Sequence, residues 1–340
     1  MKNTNKISGI ALALTCRLAA TLNAQDLFVT EHGGTIGEYT TTGATVNASL
    51  ISGLNQPFGI AISGNDLFVA NPTLDTIGEY TTAGATVNAS LISGLDEPYS
   101  IAISGNNLFV ANYDSGTIGE YTLSGAGINT NLISGLEFPL GIAIWGNDLF
   151  VANNVGNTVG EYTTAGATVN ASLISGLNLP TGIAISGNGL LFVANSGDGG
   201  TIGEYTLSGA AVNTNLISGL DYPYGIAISG TNLFVANYYG GTVGEYTTSG
   251  AKINASLIGG LGNLDGIATP VLVPQLNIAT VDNQSVLFYP YSVLGANYVL
   301  QCVTNLASTN WLTVSNGVPV IGVTVPNNLP ASFFRLEPAE

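Results

Sequence analysis

The sequence predicts an all-β fold, a six-bladed β-propeller, and three observations carry this prediction. The segment LFVAN, or a close variant, occurs six times, first at Leu27 and then at spacings of 40, 41, 41, 42 and 42 residues. Three further runs, of the types GEYT, TVNASLI and GIAIS, accompany it and are bounded by Gly, Asn, Ser or Pro. None of them has the apolar spacing of a helical repeat. Four short antiparallel strands in about forty residues correspond to one propeller blade.

The phase of the repeat predicts how the ring of blades closes. The first copy begins at its LFVT strand without a GIAIS strand ahead of it, and the missing strand appears at residues 266–269. We expect this late strand to complete the first blade, which joins the two ends of the propeller and removes open sheet edges. The strand order from axis to rim is then GIAIS, LFVAN, GEYT and VNASLI. A parallel β-helix is the alternative, although its rungs are usually shorter than these repeats.

Residues 1–24 read as an export signal. Lys2 and Lys6 precede a short apolar run, and Ala24 closes a segment with a small-residue cleavage site. Arg17, directly after the apolar run, is an irregularity, and a disordered start is the alternative interpretation. The segment predicts a secreted, periplasmic or cell-surface protein, with the propeller beginning at residue 25.

The repeat extends to about residue 273, and residues 274–340 predict a small β-rich C-terminal module. This last segment contains several short runs of β-branched and aromatic residues separated by turn residues, such as SVLFYP and NYVLQCV. Its role is open: ancillary glycan binding, a packing cap and a secretion-related tail all fit its composition.

The charge balance excludes several classes of partner. The chain has 21 acidic and five basic residues, and cleavage after Ala24 would leave only Lys252 and Arg335 as basic residues. Such an acidic surface repels phosphate backbones and anionic lipid, which disfavours nucleic acid and membrane surfaces. No apolar run is long enough to predict a membrane span. Cations, neutral glycans and extracellular proteins stay open as ligands, and we expect a monomer.

The blade pattern P-x-GIA followed by LFVAN and GEYT resembles the NHL-type propellers over residues 25–270. The first blade, LFVTEHGGTIGEYT, also resembles blades of the streptogramin-lyase-like propellers, and the gluconolactonase-like proteins share the six-bladed form. The segment YVLQCVTNL, with Trp311 and the terminal FFRL, resembles a C-terminal module of secreted bacterial repeat proteins. These families place different functions on one architecture, so the resemblance implies a fold and no particular activity.

The first blade breaks the repeat on the face where propeller ligands usually bind. Five copies carry Asn after LFVA, whereas the first carries Glu31 followed by His32, the only histidine of the chain. Asp265 precedes the closing GIA, where the other copies have an aromatic, Leu or Thr residue. We expect these three residues to converge, and a carboxylate beside a histidine suits acid–base catalysis. The alternative is that blade one differs because it is terminal.

A second hypothesis for the same place is a Ca²⁺ or Mg²⁺ site. Carboxylate and amide oxygens are the ligands that these ions prefer. The resemblance to the gluconolactonase-like enzymes implies a Glu, Asn and Asp set on a divalent metal at the channel mouth. Glu31, Asn153 and Asp265 match that set by residue type and expected place only. The alternative is that the Asn side chains cap turns through local backbone bonds. The glutamate of GEYT, identical in every blade, is expected to be structural.

Aromatic residues are the third candidate feature of this face. The predicted binding residues fall in face loops of blades two, three and six: Phe58, Tyr99, Tyr113, Tyr224 and Tyr238. Exposed aromatic rings can stack on sugars or anchor a protein partner, and the alternative is that they pack into the channel rim. The sequence therefore predicts a non-enzymatic binding protein for a glycan or an extracellular protein. The alternative function is a divalent-metal-dependent lactonase-like or lyase-like enzyme.

Overall fold

The computed structural model describes residues 26–270 and, beyond them, the backbone of six short strands between residues 277 and 338. Within residues 26–270 the chain forms 24 β-strands and one turn of 3₁₀ helix, Pro72–Leu74. No helix in this part of the chain is long and apolar enough to cross a membrane. The predicted export signal lies outside the described residues.

The strands follow one another with the spacing of the sequence repeat. The first blade begins with β1 (Asp26–Glu31), β2 (Thr35–Thr40) and β3 (Thr45–Ser52). The second contains β4 (Ile60–Ser63), β5 (Asp66–Asn71), β6 (Thr76–Thr81) and β7 (Thr86–Ser93). The third contains β8 (Pro98–Ser104), β9 (Asn107–Asn112), β10 (Thr117–Thr122) and β11 (Gly127–Ile133).

The remaining blades repeat this order. The fourth contains β12 (Pro139–Trp145), β13 (Asp148–Asn153), β14 (Thr158–Thr163) and β15 (Thr168–Ser175). The fifth contains β16 (Pro180–Ile185), β17 (Leu190–Asn195), β18 (Thr201–Thr206) and β19 (Ala211–Ser218). The sixth contains β20 (Pro223–Ser229), β21 (Asn232–Asn237), β22 (Thr242–Thr247) and β23 (Lys252–Ile258), and β24 (Leu264–Ala268) follows it.

The ring closes through β24, as the phase of the repeat predicts. This strand pairs antiparallel with β1, placing Ala268 opposite Phe28 and Ile267 opposite Val29, and the first sheet has the order β24-β1-β2-β3. Each of the other five sheets is built from four consecutive strands. The innermost strand of every blade also contacts the innermost strands on both sides. The predicted six-bladed β-propeller is confirmed.

The core of the propeller lies between neighbouring blades. Six apolar clusters repeat around the ring, and each one combines side chains of two adjacent sheets. Between blades three and four, for example, Phe109 packs with Leu149 and Tyr162. Burying a side chain of this size contributes roughly 1.5–3 kcal/mol. A blade has no such partner by itself, so the fold depends on its neighbours.

The innermost strands approach one another closely, which explains their Gly-Ile-Ala pattern. A Cβ at Gly266 would collide with the carbonyl oxygen of Phe58 in the next blade. A Cβ at Gly182 would meet the carbonyl oxygen of Tyr224 in the same way. Glycine lets the backbones at the axis come together in five blades, whereas blade three has Ser100 at this position. The residue ahead of each such position lines the channel mouth.

After the propeller, the structure describes two three-stranded antiparallel sheets. The first has the order β25-β26-β29, formed by Asn277–Val281, Gln284–Phe288 and Val323–Val325. The second has the order β28-β27-β30, formed by Leu312–Asn316, Tyr298–Val303 and Phe333–Pro338. The proposed boundaries of the C-terminal module, residues 274–340, stay a prediction.

Candidate functional site

One residue from each blade forms a ring at the boundary between the central channel and its mouth. We call this set the channel ring: Phe58, Tyr99, Leu140, Thr181, Tyr224 and Asp265. All six line a channel cavity of about 190 Å³ between the innermost strands. All except Thr181 also line a cavity of about 300 Å³ at the mouth. A ligand at this level would lie next to Asp265, the only acidic member of the ring.

The wall of the mouth cavity comes from the residues that follow each second strand. These are His32, Pro72, Tyr113, Asn154 and Tyr238, one each from blades one, two, three, four and six. Gln56, Thr73 and Glu97 complete the lining. We call the whole cavity the aromatic cup, because the predicted aromatic residues dominate it.

The structure brings all five predicted aromatic residues into this cup. Their rings form a continuous chain. The ring centroids of Phe58 and Tyr99 are 4.5 Å apart, and those of Tyr99 and Tyr113 are 4.8 Å apart. On the other side, Tyr224 lies 5.6 Å from Phe58 and 4.8 Å from Tyr238. These distances are typical of aromatic pairs that stabilise each other. Each ring is also partly exposed, so the set packs as a rim and presents an open aromatic surface.

Asp265 is the buried acidic group of the site. Its side chain is fully buried, its Oδ2 lies 3.2 Å from Nδ1 of His32, and its Oδ1 has no hydrogen-bond partner. Burial raises the pKa of Asp265 to about 8, because desolvation penalises the carboxylate. Protonation of His32 would act in the opposite direction by stabilising the carboxylate. His32 keeps 36% of its side chain exposed and also contacts the Tyr238 ring edge-on.

Glu31 and Asn153 lie outside the aromatic cup. The Glu31 carboxylate accepts a hydrogen bond from the backbone N–H of Gly262 at 3.0 Å. Asn153 is buried in blade four, where its amide donates to Thr158 Oγ1 at 3.2 Å. Neither side chain lines either of the two cavities. Of the three catalytic candidates, the structure therefore places His32 and Asp265 together in the cup and Glu31 beside it.

The predicted metal set is not gathered in one place. Within residues 26–270 no group of three or more His, Cys, Asp or Glu side chains has the spacing of a metal site. Blade four, which carries Asn153, also lies opposite blade one in the ring of six. The Ca²⁺ or Mg²⁺ hypothesis stays a prediction, and the geometry adds no support to it.

The unusual residues of blade one all contact the closing segment of the chain. Besides Glu31, the backbone N–H of His32 donates to the Asn263 carbonyl at 2.9 Å, a bond that blades three to six also make at the equivalent position. Thr30, which replaces the alanine of the other five blades, accepts a bond from the Gly266 N–H at 2.7 Å and donates to the Phe58 carbonyl at 2.6 Å. Ring closure, the alternative that the sequence left open, therefore explains Thr30 and Glu31, whose side chains hold the closing segment, and does not explain His32.

The repeated glutamates make contacts within their own blades. Glu120 accepts a hydrogen bond from Asn107 and Glu245 accepts one from Asn232, both at 2.7 Å. In blade two Asp66 stands where blade three has Asn107, and the pKa of Glu79 is raised, first by burial and then by that neighbouring carboxylate. These contacts fit the expected structural role.

The electrostatic field of the mouth is negative. Glu97 lines the cup, and burial together with Asp114, Asp75 and Asp96 raises its pKa. Among residues 26–270 the only lysine or arginine is Lys252, on an outermost strand. A cup of this kind attracts cations and repels anions.

Sequence reasoning missed Thr30 and Glu97. The Thr30 signal was present, since LFVT replaces LFVA in one blade, but a hydroxyl at a buried position shows its partners only in three dimensions. Glu97 carries no signal, because its loop differs in every blade.

No family model matches the chain, and no curated protein matches it either. Solved structures do resemble it. A chain of a nidogen/laminin complex aligns with a TM-score of 0.62 at 17% identity, covering 73% of this chain and 98% of that one. A protein of unknown function from Bacteroides caccae aligns with a TM-score of 0.55 at 16% identity, covering 72% and 98% of the two chains.

A third solved structure is an enzyme. The catalytically inactive virginiamycin B lyase from Staphylococcus aureus, solved with quinupristin, aligns with a TM-score of 0.51 at 16% identity, covering 79% of this chain and 94% of that one. At these identities the likeness concerns the fold alone. The chain is thus a six-bladed β-propeller, with an architecture that it shares with an enzyme and with a component of a protein complex.

Proposed function

We propose that this protein is a secreted binding propeller that holds its ligand in the aromatic cup. The observation that carries the proposal is the chain of five aromatic rings around the mouth cavity, partly exposed and contributed by three blades. Aromatic surfaces of this kind bind ligands by stacking and by excluding water, at little entropic cost because the rings are already held in place. A glycan or the side chain of an extracellular protein partner fits such a surface.

The size of the cup limits what it can take. Its volume of about 300 Å³ lies at the lower end of small-molecule sites, which run from about 300 to 1,000 Å³. We therefore expect it to hold one sugar ring or one projecting side chain of a larger ligand. The solved propeller from the nidogen/laminin complex shows only that this architecture also occurs in a protein assembly.

The test is a binding screen with paired variants. Wild-type protein is exposed to panels of oligosaccharides, amines and short peptides, and binding is followed by intrinsic tyrosine fluorescence and by the shift in melting temperature. We expect Tyr224→Ala to abolish any binding found. The matched control is Tyr239→Ala, because Tyr239 is 61% exposed and does not line the cup. If the two variants bind equally well, or if no panel member binds the wild type, the proposal is wrong.

The alternative function is a metal-dependent lactonase-like or lyase-like enzyme. One contact, the 3.2 Å pair of His32 and Asp265 at the cup, supports its acid–base chemistry, and within residues 26–270 no contact supports its metal. Ca²⁺ and Mg²⁺ added to the same melting experiment test it. If either ion raises the melting temperature of the wild type, and raises that of Glu31→Gln by the same amount, Glu31 is not a ligand. If neither ion raises the melting temperature of the wild type, the metal is removed from the hypothesis.

A further inference from the structure

We infer that the aromatic cup is specific for a protonated amine, with Asp265 as the counter-charge of the bound ammonium group. This inference rests on the proposed binding function and names the chemical class of its ligand. It depends on three independent features of the site: an unpartnered buried carboxylate oxygen, the aromatic rings around it, and the charge of the surrounding surface.

The carboxylate is the first feature. Asp265 is 1% exposed, and only one of its two oxygens has a partner, since Oδ2 is next to His32 and Oδ1 contacts no donor. Leaving a buried acceptor unsatisfied is unfavourable. The same residue lines both the cup and the channel below it. A ligand N–H that reaches the channel ring would satisfy this oxygen.

The aromatic rings are the second feature. Phe58 and Tyr224 flank Asp265 in the channel ring, and their centroids are 5.6 Å apart. Tyr99 and Tyr238 extend the same surface on either side. Aromatic faces attract cations, and organic ammonium groups are commonly bound in this way. These rings and the carboxylate line the same two cavities, so a ligand in the cup can contact both.

The surroundings are the third feature. Glu97 adds a second acidic group to the wall of the cup, with Asp75, Asp96 and Asp114 close enough to raise its pKa. Apart from His32, the lining contains no side chain that can carry a positive charge. Within residues 26–270 no group of three or more His, Cys, Asp or Glu side chains is placed to hold a metal ion, whereas a single carboxylate among aromatic rings suits an organic cation.

Protonation adds a signature to the binding reaction. The groups that face Asp265 are His32, Tyr99 and Tyr224, and burial, with a smaller contribution from Asp265, raises the pKa of both tyrosines to about 12. Both phenols therefore stay neutral when Asp265 ionises at a pKa of about 8. A bound ammonium group stabilises the carboxylate, so binding at pH 7 releases a proton, and affinity rises between pH 6 and pH 8.

The experiment uses ligands that differ in one charge. N-acetyl-lysine methylamide is titrated by calorimetry against its neutral analogue, N-acetyl-norleucine methylamide, and n-pentylammonium tests whether a free amine suffices. We expect the lysine derivative to bind the wild type at least tenfold more tightly than the norleucine derivative, and at least tenfold more weakly at pH 5.5 than at pH 8. Binding of n-pentylammonium alone indicates a small free amine as the ligand, whereas binding of both indicates a lysine side chain of a partner.

The variants separate this inference from the proposed function. Asp265→Asn should lose at least tenfold in affinity for the amines, whereas Asp198→Asn, the same change on an exposed loop of blade five, should bind like the wild type. Equal binding of the charged and neutral probes, or unchanged affinity in a folded Asp265→Asn, would overturn the inference. If neutral saccharides bind in a Tyr224-dependent way and amines do not, the cup keeps its function and the ammonium specificity is wrong. Should Asp265→Asn not fold, the comparison of the lysine and norleucine derivatives on the wild type decides the question, since equal affinities would overturn the inference.

Discussion

The Thr30 hydroxyl accepts a hydrogen bond from the backbone N–H of Gly266 at 2.7 Å, although 236 positions separate the two residues in the chain. The same hydroxyl donates to the Phe58 carbonyl at 2.6 Å, so one buried oxygen connects both ends of the propeller to the second blade. The other five blades have alanine here, and their innermost and second strands belong to the same stretch of sequence. The hydroxyl occurs where the ring has to close.

Thr30→Ala is therefore expected to destabilise the propeller, although alanine fits this position in every other blade. Removing a buried hydroxyl that serves two backbone groups should cost about 1–3 kcal/mol, since Gly266 N–H and the Phe58 carbonyl each lose their bond to it. The measurement is urea unfolding, and Thr30→Val, which keeps the volume, should lose as much. Thr42→Ala on an exposed turn is the control. A loss no larger than in this control would show that the hydroxyl does not hold the closure.

The pH dependence of stability should contain a contribution from Asp265. Its pKa in the folded state is raised to about 8, so the folded protein favours the protonated form. The resulting stability is fully present below the pKa of the unfolded chain, near 4, and is lost as the pH rises through about 8. Relative to Asp265→Asn, the wild type should lose about 3–4 kcal/mol between pH 5 and pH 8.

Unfolding free energies at these two pH values check this expectation. Other buried glutamates change the stability of both proteins in the same direction, so the difference between wild type and variant is the informative quantity. Asp198→Asn should follow the wild type. Parallel curves for the wild type and Asp265→Asn would contradict a raised pKa.

The repeated glutamates offer a reciprocal pair of substitutions. In blade three Asn107 donates a hydrogen bond to Glu120 at 2.7 Å. In blade two the equivalent positions carry two acidic residues, Asp66 and Glu79. We expect Asp66→Asn to stabilise the protein by about 0.5–1 kcal/mol at pH 7, because it replaces a carboxylate pair with a hydrogen bond. Asn107→Asp should destabilise it by a similar amount.

Melting temperatures at pH 7 and pH 4 test this pair. The effect of Asp66→Asn should shrink at pH 4, because burial raises the pKa of Glu79 and its carboxylate takes up a proton as the pH falls. Changes of the same sign in the two variants would refute the intra-blade contact as their cause.

The architecture was predictable because it is repeated: six copies of one pattern leave little ambiguity about strand order, and the early start of the first copy indicates where the last strand belongs. The five aromatic residues of the cup were predictable for the same reason, since every blade places equivalent positions on one face. The contacts of single residues were not. Glu31 and Asp265 are both acidic residues of blade one, but one accepts a hydrogen bond from Gly262 and the other is buried beside His32. Only the path of the chain between residues 262 and 266 distinguishes them.

The pairing of β24 with β1 also means that the first sheet can be completed only after residue 268 has been synthesised. A nascent chain that has emerged as far as β23 has five complete sheets, but the inner edge of β1 has no partner, and the interface between the first and last blades cannot form. Such an intermediate exposes a β-edge at one end of an open arc and an apolar blade surface at the other, both of which favour association with other chains. Strand β24 therefore protects the propeller from association with other chains, and a chain that lacks Leu264–Ala268 should form oligomers.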